Sequence, residues 1–377
     1  MYSWVFAAVL ATSSPALEFD LQVEPPAQVM VLPPALRARV QEDVLAGSPS
    51  QETRLNRLLH LVFDKGGLGL IYQDDATESV AQVYATRTAN CLSFTLFFVA
   101  LAREAGLDVY PQEIRQTVGW HEDNGIFYRV DHINASVRIG HEDYQVDTAH
   151  DSIIALHKPE RVSDQRLLAH YYNNLAMRDL EKAQIAPALQ IMSTALELDP
   201  DNATNWSNAG VLYASDGDED AAERAFAKAL ALEPTNTSAL ANMANLAHRL
   251  GDYNRETELR QRLERLQQSD PLFHFILAAE YEQAGDYSRA IEHYERAIHL
   301  HNHEPRFHAA LAHVYALTGD TPQAIKALTR AKWFSTDTSR AKYQSQIDEL
   351  RKLRTREGSK AGSMSQSDAP RSAGFLS

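Results

Sequence analysis

The chain is 377 residues long, 44% hydrophobic and 23% charged, with a formal net charge of −14 at pH 7. That length exceeds what one small core organises and predicts more than one domain. The negative charge argues against nucleic acid or an anionic membrane surface as the main partner. The single cysteine, Cys91, excludes an intramolecular disulfide and any cysteine-based zinc cluster, and no apolar run reaches the length of an integral membrane span.

In chain order, residues 1–16 read as a possible signal peptide. Trp4 to Ala11 is a short apolar run, and Ser14 and Ala16 suit cleavage before Leu17, although no Lys or Arg precedes the run. The expectation is an exported or periplasmic protein if this segment is a leader, and a cytoplasmic one otherwise. Residues 17–34 read as an extended, proline-rich linker (Pro25, Pro26, Pro33, Pro34). Helices are expected over 35–46 and 51–64, the second with an apolar face of Leu55, Leu58, Leu59, Leu61 and Val62. Gly66-Gly67-Leu68-Gly69 breaks the pattern, and a polar stretch leads to Asn90.

A buried helix is expected to open at Cys91, with Asn90 as its N-cap, apolar residues at Leu92, Phe94, Leu96, Phe97, Phe98 and Leu101, and Gly106 as its stop. The positive end of the helix dipole there favours an anionic side chain, so a nucleophile is well placed at this position; an inert buried cysteine is the competing reading. Strands follow at Val109–Thr117 and Gly125–Ile139, then a turn at Gly140–Asp143 and a return strand from Tyr144 to Asp147. One helix on an antiparallel sheet predicts an α+β domain over 35–165.

From residue 169 the sequence repeats. Gly-Asp occurs at 217–218, 251–252, 285–286 and 319–320, at intervals of 34. Residues 203–236 carry Trp206, Ala209, Gly210 and Tyr213 on a first helix, Ala222, Phe226 and Ala229 on a second, and Pro234 at the close. Small residues allow close helix approach and the aromatics fill the remaining space. The pattern resembles the tetratricopeptide repeat (TPR), a 34-residue helix-turn-helix. Five units are expected: 169–202, 203–236, 237–270, 271–304 and 305–336. The third departs most, with Glu256, Arg260 and Leu263 where small or aromatic residues are usual. A charged capping helix (337–356) and a disordered tail (357–377) complete the expected chain.

Around Cys91 the order of residues resembles the transglutaminase-like superfamily, related to papain. The matching segments are Asn-Cys-Leu-Ser at 90–93, Val-Asp-His-Ile-Asn at 130–134 and Tyr-Gln-Val-Asp at 144–147. The resemblance implies an α+β papain/transglutaminase-like domain followed by an all-α TPR solenoid. It also implies a triad: Cys91 attacking an amide or ester carbonyl, His132 carrying the proton, and Asp147 orienting the imidazole. His121, His141 and His150 compete with His132, and Asp131 and Asp143 with Asp147. The backbone N–H of Cys91 and a side chain, Gln82 or Tyr84, are candidate oxyanion donors. Asn134 and Trp120 are candidates for lining the site.

His121-Glu122-Asp123, His141-Glu142-Asp143 and the histidines at 299, 301 and 303 lack helical metal-ligand spacing, so no metal or other cofactor is expected. A TPR groove binds protein or peptide, here through Asn173, Met177, Ser207, Val211, Ala241, Asn245, Phe275 and His313. Two functions follow from this sequence. One is a cysteine-dependent hydrolase or acyltransferase coupled to a protein-binding module. The other is a non-catalytic peptide-binding scaffold.

Overall fold

The structure, a computed structural model, describes residues 23–114, 120–123, 126–129, 132–147, 154, 156 and 158–365; side chains at 120–123, 126–129, 337–338 and 356–365 lie outside the description. The signal-peptide reading of 1–16 and the last residues of the tail therefore fall outside it.

The chain opens with α1 (Pro26–Val29), α2 (Pro34–Arg39), a π-helical turn (Val40–Val44) and α3 (Gln51–Phe63). Next come β1 (Ile71–Tyr72), α4 (Val80–Thr86), β2 (Thr88–Ala89) and α5 (Cys91–Glu104). The strands β3 (Asp108–Ile114), β4 (Trp120–Asp123), β5 (Ile126–Arg129), β6 (His132–Ile139), β7 (Glu142–Val146) and β8 (Glu160–Arg161) follow. The expected single strand over 125–139 is thus two strands with different partners. Among the described residues β4 and β5 pair only with each other, whereas β6 joins a four-stranded sheet ordered β7-β6-β3-β8; β1 and β2 form a separate parallel pair.

α5 begins as its sequence dictates. The Asn90 side chain accepts from the Ser93 N–H, and its own amide donates to Thr77 Oγ1 at 2.9 Å. Gly106 ends the helix in the left-handed region at φ +69°. The interior of α5 is buried all round, with Phe94 stacked between Phe63 and Phe98 at 5.5 and 5.8 Å.

Five helix pairs follow: α6 (Asp164–Glu181) with α7 (Ile185–Leu198), α8 (Ala203–Asp216) with α9 (Glu219–Leu232), α10 (Thr237–Arg249) with α11 (Tyr253–Gln268), α12 (Pro271–Gln283) with α13 (Tyr287–Leu300), and α14 (Pro305–Leu317) with α15 (Thr321–Phe334). α16 (Asp337–Ser365) runs past residue 356, where the capping helix was expected to end. The Gly-Asp period has a structural cause. Gly217, Gly251, Gly285 and Gly319 lie at φ +86°, +77°, +77° and +81°, a conformation that disfavours a Cβ. Each following aspartate caps the next helix, accepting from the N–H of Ala221, Arg255, Arg289 or Gln323. In the first pair Ala183 takes the left-handed position at φ +57°. Gly210 is needed for contact: a Cβ there would lie 2.5 Å from Phe226 Cε1.

These facts correct the expected fold class. The molecule is mostly helical, an α-solenoid carrying a small β region, and not a papain/transglutaminase-like α+β domain followed by a solenoid. The apolar surface of α5 is covered from several sides, and one buried cluster continues from Val29 through α5 and α6 to Ala225 in α9. A polar joint reinforces this continuity. Arg166 on α6 donates to Glu113 on β3 at 2.8 Å and to Asp199 after α7 at 2.9 Å. Burial opposes ionisation of Glu113, but His170 and Arg166 outweigh it and hold its carboxyl below the usual carboxylate range.

Candidate functional site

Two regions carry polar groups whose placement asks for a function. The first surrounds Cys91, the half-buried first residue of α5. Thr95 Oγ1 donates to the Cys91 carbonyl at 2.7 Å and lies 3.2 Å from the Ile133 carbonyl. The first turn of α5 is thereby tied to β6 one residue beyond His132. His132 and Asn134 share one face of β6, and both reach the carboxylate of Asp147 just after β7. His132 Nε2 lies 2.8 Å from Asp147 Oδ2, and Asn134 Nδ2 donates to the same oxygen at 3.3 Å. The His132 and Asp147 side chains are only 10% and 5% exposed.

Burial opposes protonation of His132. Hydrogen bonds to Asp147 and Cys91, with the charges of both, overcome it and raise its pKa to about 9. With Nε2 directed at Asp147, Nδ1 is the ring nitrogen available to the thiol.

The other candidates lie elsewhere. Gln82 completes the capping box of α4, its Oε1 accepting from the Ser79 N–H at 2.9 Å. It also lines a cavity of about 230 Å³ with Glu24, Thr77 and Arg178. The Tyr84 ring lies under the Arg87 guanidinium, 4.2 Å away. Trp120 and His121 are in β4 with side chains outside the described set, and Asp131 and His150 are outside it altogether. His141 is exposed in a turn, and Asp143 pairs with Arg138 at 2.9 Å.

Tyr72 is a neighbour that sequence reasoning missed. β1 pairs it with Ala89, two residues before Cys91. Desolvation, a hydrogen bond to Asp74 and the charges of Cys91, Asp74 and Asp147 push its phenol above the ordinary value. A two-residue strand in a polar stretch gives no periodic signal, so only the fold could reveal this position. Among the described residues no group of three or more His, Cys, Asp or Glu comes together in a way that could hold a metal ion.

The second region is the set of first helices of the repeats. Asn173, Ser207, Val211 and Ala241 are buried, and Met177 packs against the core. Asn173 Oδ1 accepts from Asn208 Nδ2 at 2.9 Å, joining the first two repeats. Asn245 accepts from Arg260 at 3.2 Å. Phe275 stacks on Phe307 at 5.0 Å, and exposed His313 lies 2.6 Å from Glu282. Only part of the expected groove set is therefore open to solvent.

Comparison with known proteins bears on this second region. Residues 161–308 match the model of the cytochrome c-type biogenesis protein H TPR domain. Residues 281–342 match a tetratricopeptide repeat model. The chain therefore carries TPR repeats, a protein-interaction module. Among curated proteins none matches the chain. Solved structures similar to it include MamA (21% identity, 45% of this chain and 98% of that one, TM-score 0.25). Another belongs to the APC/C hetero-tetramer Cut9–Hcn1 (22% identity, 49% and 37%, TM-score 0.27). A third is Pseudomonas aeruginosa PilF (16% identity, 52% and 90%, TM-score 0.27). Among the described residues no helix is long and apolar enough to cross a membrane.

Proposed function

We propose that this protein is an interaction scaffold whose TPR solenoid holds a partner protein or peptide. The observation that carries this reading is the run of five helix pairs, four of them joined by the same Gly-Asp device, over a segment matched by TPR models. A stack of this kind presents its first helices as a continuous binding face. The test is affinity capture followed by titration of the captured protein. Val211→Arg with Asn245→Arg should abolish binding at unchanged helicity, and Cys91→Ala should leave it intact. Binding that survives the solenoid substitutions but is lost with Cys91→Ala contradicts the scaffold.

One observation favours a second reading, cysteine-dependent acyl transfer: a buried His132–Asp147 pair faces the only thiol of the chain. In this reading Cys91 gives its proton to His132, Asp147 stabilises the imidazolium, and sulfur attacks an acyl carbon. The imidazolium later returns the proton to the leaving amine or alkoxide, and water or an amine releases the acyl group. Iodoacetamide alkylation of Cys91 at neutral pH checks the first step. Alkylation should exceed that of an ordinary thiol and fall in His132→Ala; equal rates in both proteins reject the reading.

A further inference from the structure

The groove between α13 and α15 belongs to neither region described above. These are the second helices of the last two repeats, and α14 supplies the floor between them. On α14, His308, Leu311 and Tyr315 recur at i, i+3 and i+7 and share one face. His313, expected in the first-helix groove, points from the opposite side of the same helix. The groove is therefore separate from the first-helix face on which the scaffold reading rests.

Together with Ile298 of α13 and Ala327 of α15, these α14 residues line a cavity of about 220 Å³. Leu311 and Ala327 are buried at its base. His308 adds no charge there. Its Nε2 lies 2.8 Å from the Asn302 carbonyl, and burial, helped by the charge of Arg330, holds its pKa below the ordinary value. Pockets for cofactors and drug-sized ligands run to roughly 300–1,000 Å³. This one is smaller and suits a single large apolar side chain.

The rim on the α15 side is cationic. Lys326 and Arg330 line the cavity one helical turn apart, both are exposed, and neither has an ion-pair partner among the described residues. Like charges at this spacing repel each other. Elsewhere in the solenoid Arg255, Arg289 and Arg306 are each paired with a carboxylate. The carboxylate that lines this cavity, Glu295, is on the α13 side and accepts from the Tyr315 hydroxyl at 3.0 Å. Trp333 stands at i+3 from Arg330 and i+7 from Lys326, and at 79% exposure it is the most exposed large apolar side chain of the described residues. An exposed tryptophan beside an arginine has the composition of a binding hot spot.

We infer that the α13–α15 groove is a second docking surface of the solenoid, and that it takes an acidic segment of a partner protein that seats one aliphatic or aromatic side chain in the cavity. Carboxylates flanking the anchor meet Lys326 and Arg330, and Trp333 extends the apolar contact by one turn. A nucleic acid strand would meet the two cations but leave the cavity empty, and the net charge of −14 opposes it.

The experiment uses the full chain and a labelled, end-capped peptide, Asp-Glu-Asp-Phe-Glu-Asp-Glu, titrated by fluorescence anisotropy. The peptide should bind, more weakly as salt is raised. Replacing its phenylalanine by alanine should weaken binding about tenfold or more, and so should Lys326→Glu with Arg330→Glu in the protein. Both lysine and arginine are exposed, so helicity and the thermal midpoint should not change. No binding, or equal binding by the charge-reversed chain or by the alanine peptide, overturns the inference. Sedimentation equilibrium tests the other occupant. A chain that dimerises, and that the same charge reversals return to monomer, has a second copy in this groove, which also overturns the inference.

Val211→Arg with Asn245→Arg separates the two surfaces. These substitutions should leave binding of the acidic peptide unchanged. If they abolish it, the peptide sits on the first-helix face, and the second surface falls while the scaffold reading stands. If partner capture is insensitive to them while the acidic peptide still binds through Lys326 and Arg330, the first-helix reading falls alone.

Discussion

In the solenoid the same junction is built four times: a left-handed glycine, then an aspartate whose carboxylate caps the next helix. Around Cys91 nothing is repeated. The start of α5 gives Cys91, β6 gives His132 and Asn134, and the end of β7 leads to Asp147, all in one polar cluster. Stability in the first region is distributed over neighbouring interfaces, so a defect is shared. In the second it depends on a few charge-assisted bonds that have no substitute. The difference gives the two regions different sensitivities to substitution and to pH.

The largest expected effect lies in the solenoid, where packing is tightest. Phe226→Ala should cost about 3–5 kcal/mol, read as a fall in the urea midpoint, because the ring fills the space that Gly210 leaves open. A change below ~1 kcal/mol would show that the repeat interface is looser than its contacts imply.

Next is the polar cluster. The folded-state pKa of His132 is raised to about 9 against an ordinary value of 6.5. Its contribution is therefore fully present below pH 6.5 and is lost as pH rises through 9. A shift of that size corresponds to roughly 3 kcal/mol. His132→Ala should accordingly destabilise strongly at pH 6 and much less at pH 10, in denaturant titrations of both proteins. A difference independent of pH would contradict the assignment.

Asn90→Ala should cost about 1–2 kcal/mol, because it removes the α5 cap and the bond to Thr77 together. Asn90→Asp, which keeps the cap but not the donor to Thr77, should recover part of the loss. The smallest effect belongs to the third repeat. Leu259 is the only buried residue of α11, and Arg260 reaches Glu256 and Asn245 from an exposed position. Arg260→Ala should leave the thermal midpoint unmoved, which a calorimetric scan checks.

Much of the solenoid was legible because each repeat writes its constraint in the sequence. Gly-Asp, Gly210 opposite Phe226, and small residues at fixed offsets follow directly from helix approach and capping. The start and end of α5 were legible for the same local reason, with Asn90 as cap and Gly106 as stop. The class of the first region was not. A cysteine opening a helix, followed by a histidine and an aspartate on strands, describes a local arrangement that does not define the fold around it. The strand expected over 125–139 failed because alternation continues through β5 and β6, although only β6 joins the four-stranded sheet. Tyr72 was invisible because its nearness to Cys91 comes from pairing across 17 residues, Tyr72 with Ala89. Ser207 and Val211 on α8 and Ala241 on α10 were expected to line an open groove, and packing between neighbouring helices buries all three.

The central claim, that the solenoid is the surface that holds a partner, is tested most directly by hydrogen exchange of the full chain with and without the captured protein. Slower exchange along the first helices α8, α10, α12 and α14 is the predicted footprint. Protection confined to α5, β6 and the segment ending at Asp147, with the solenoid unchanged, would contradict the claim.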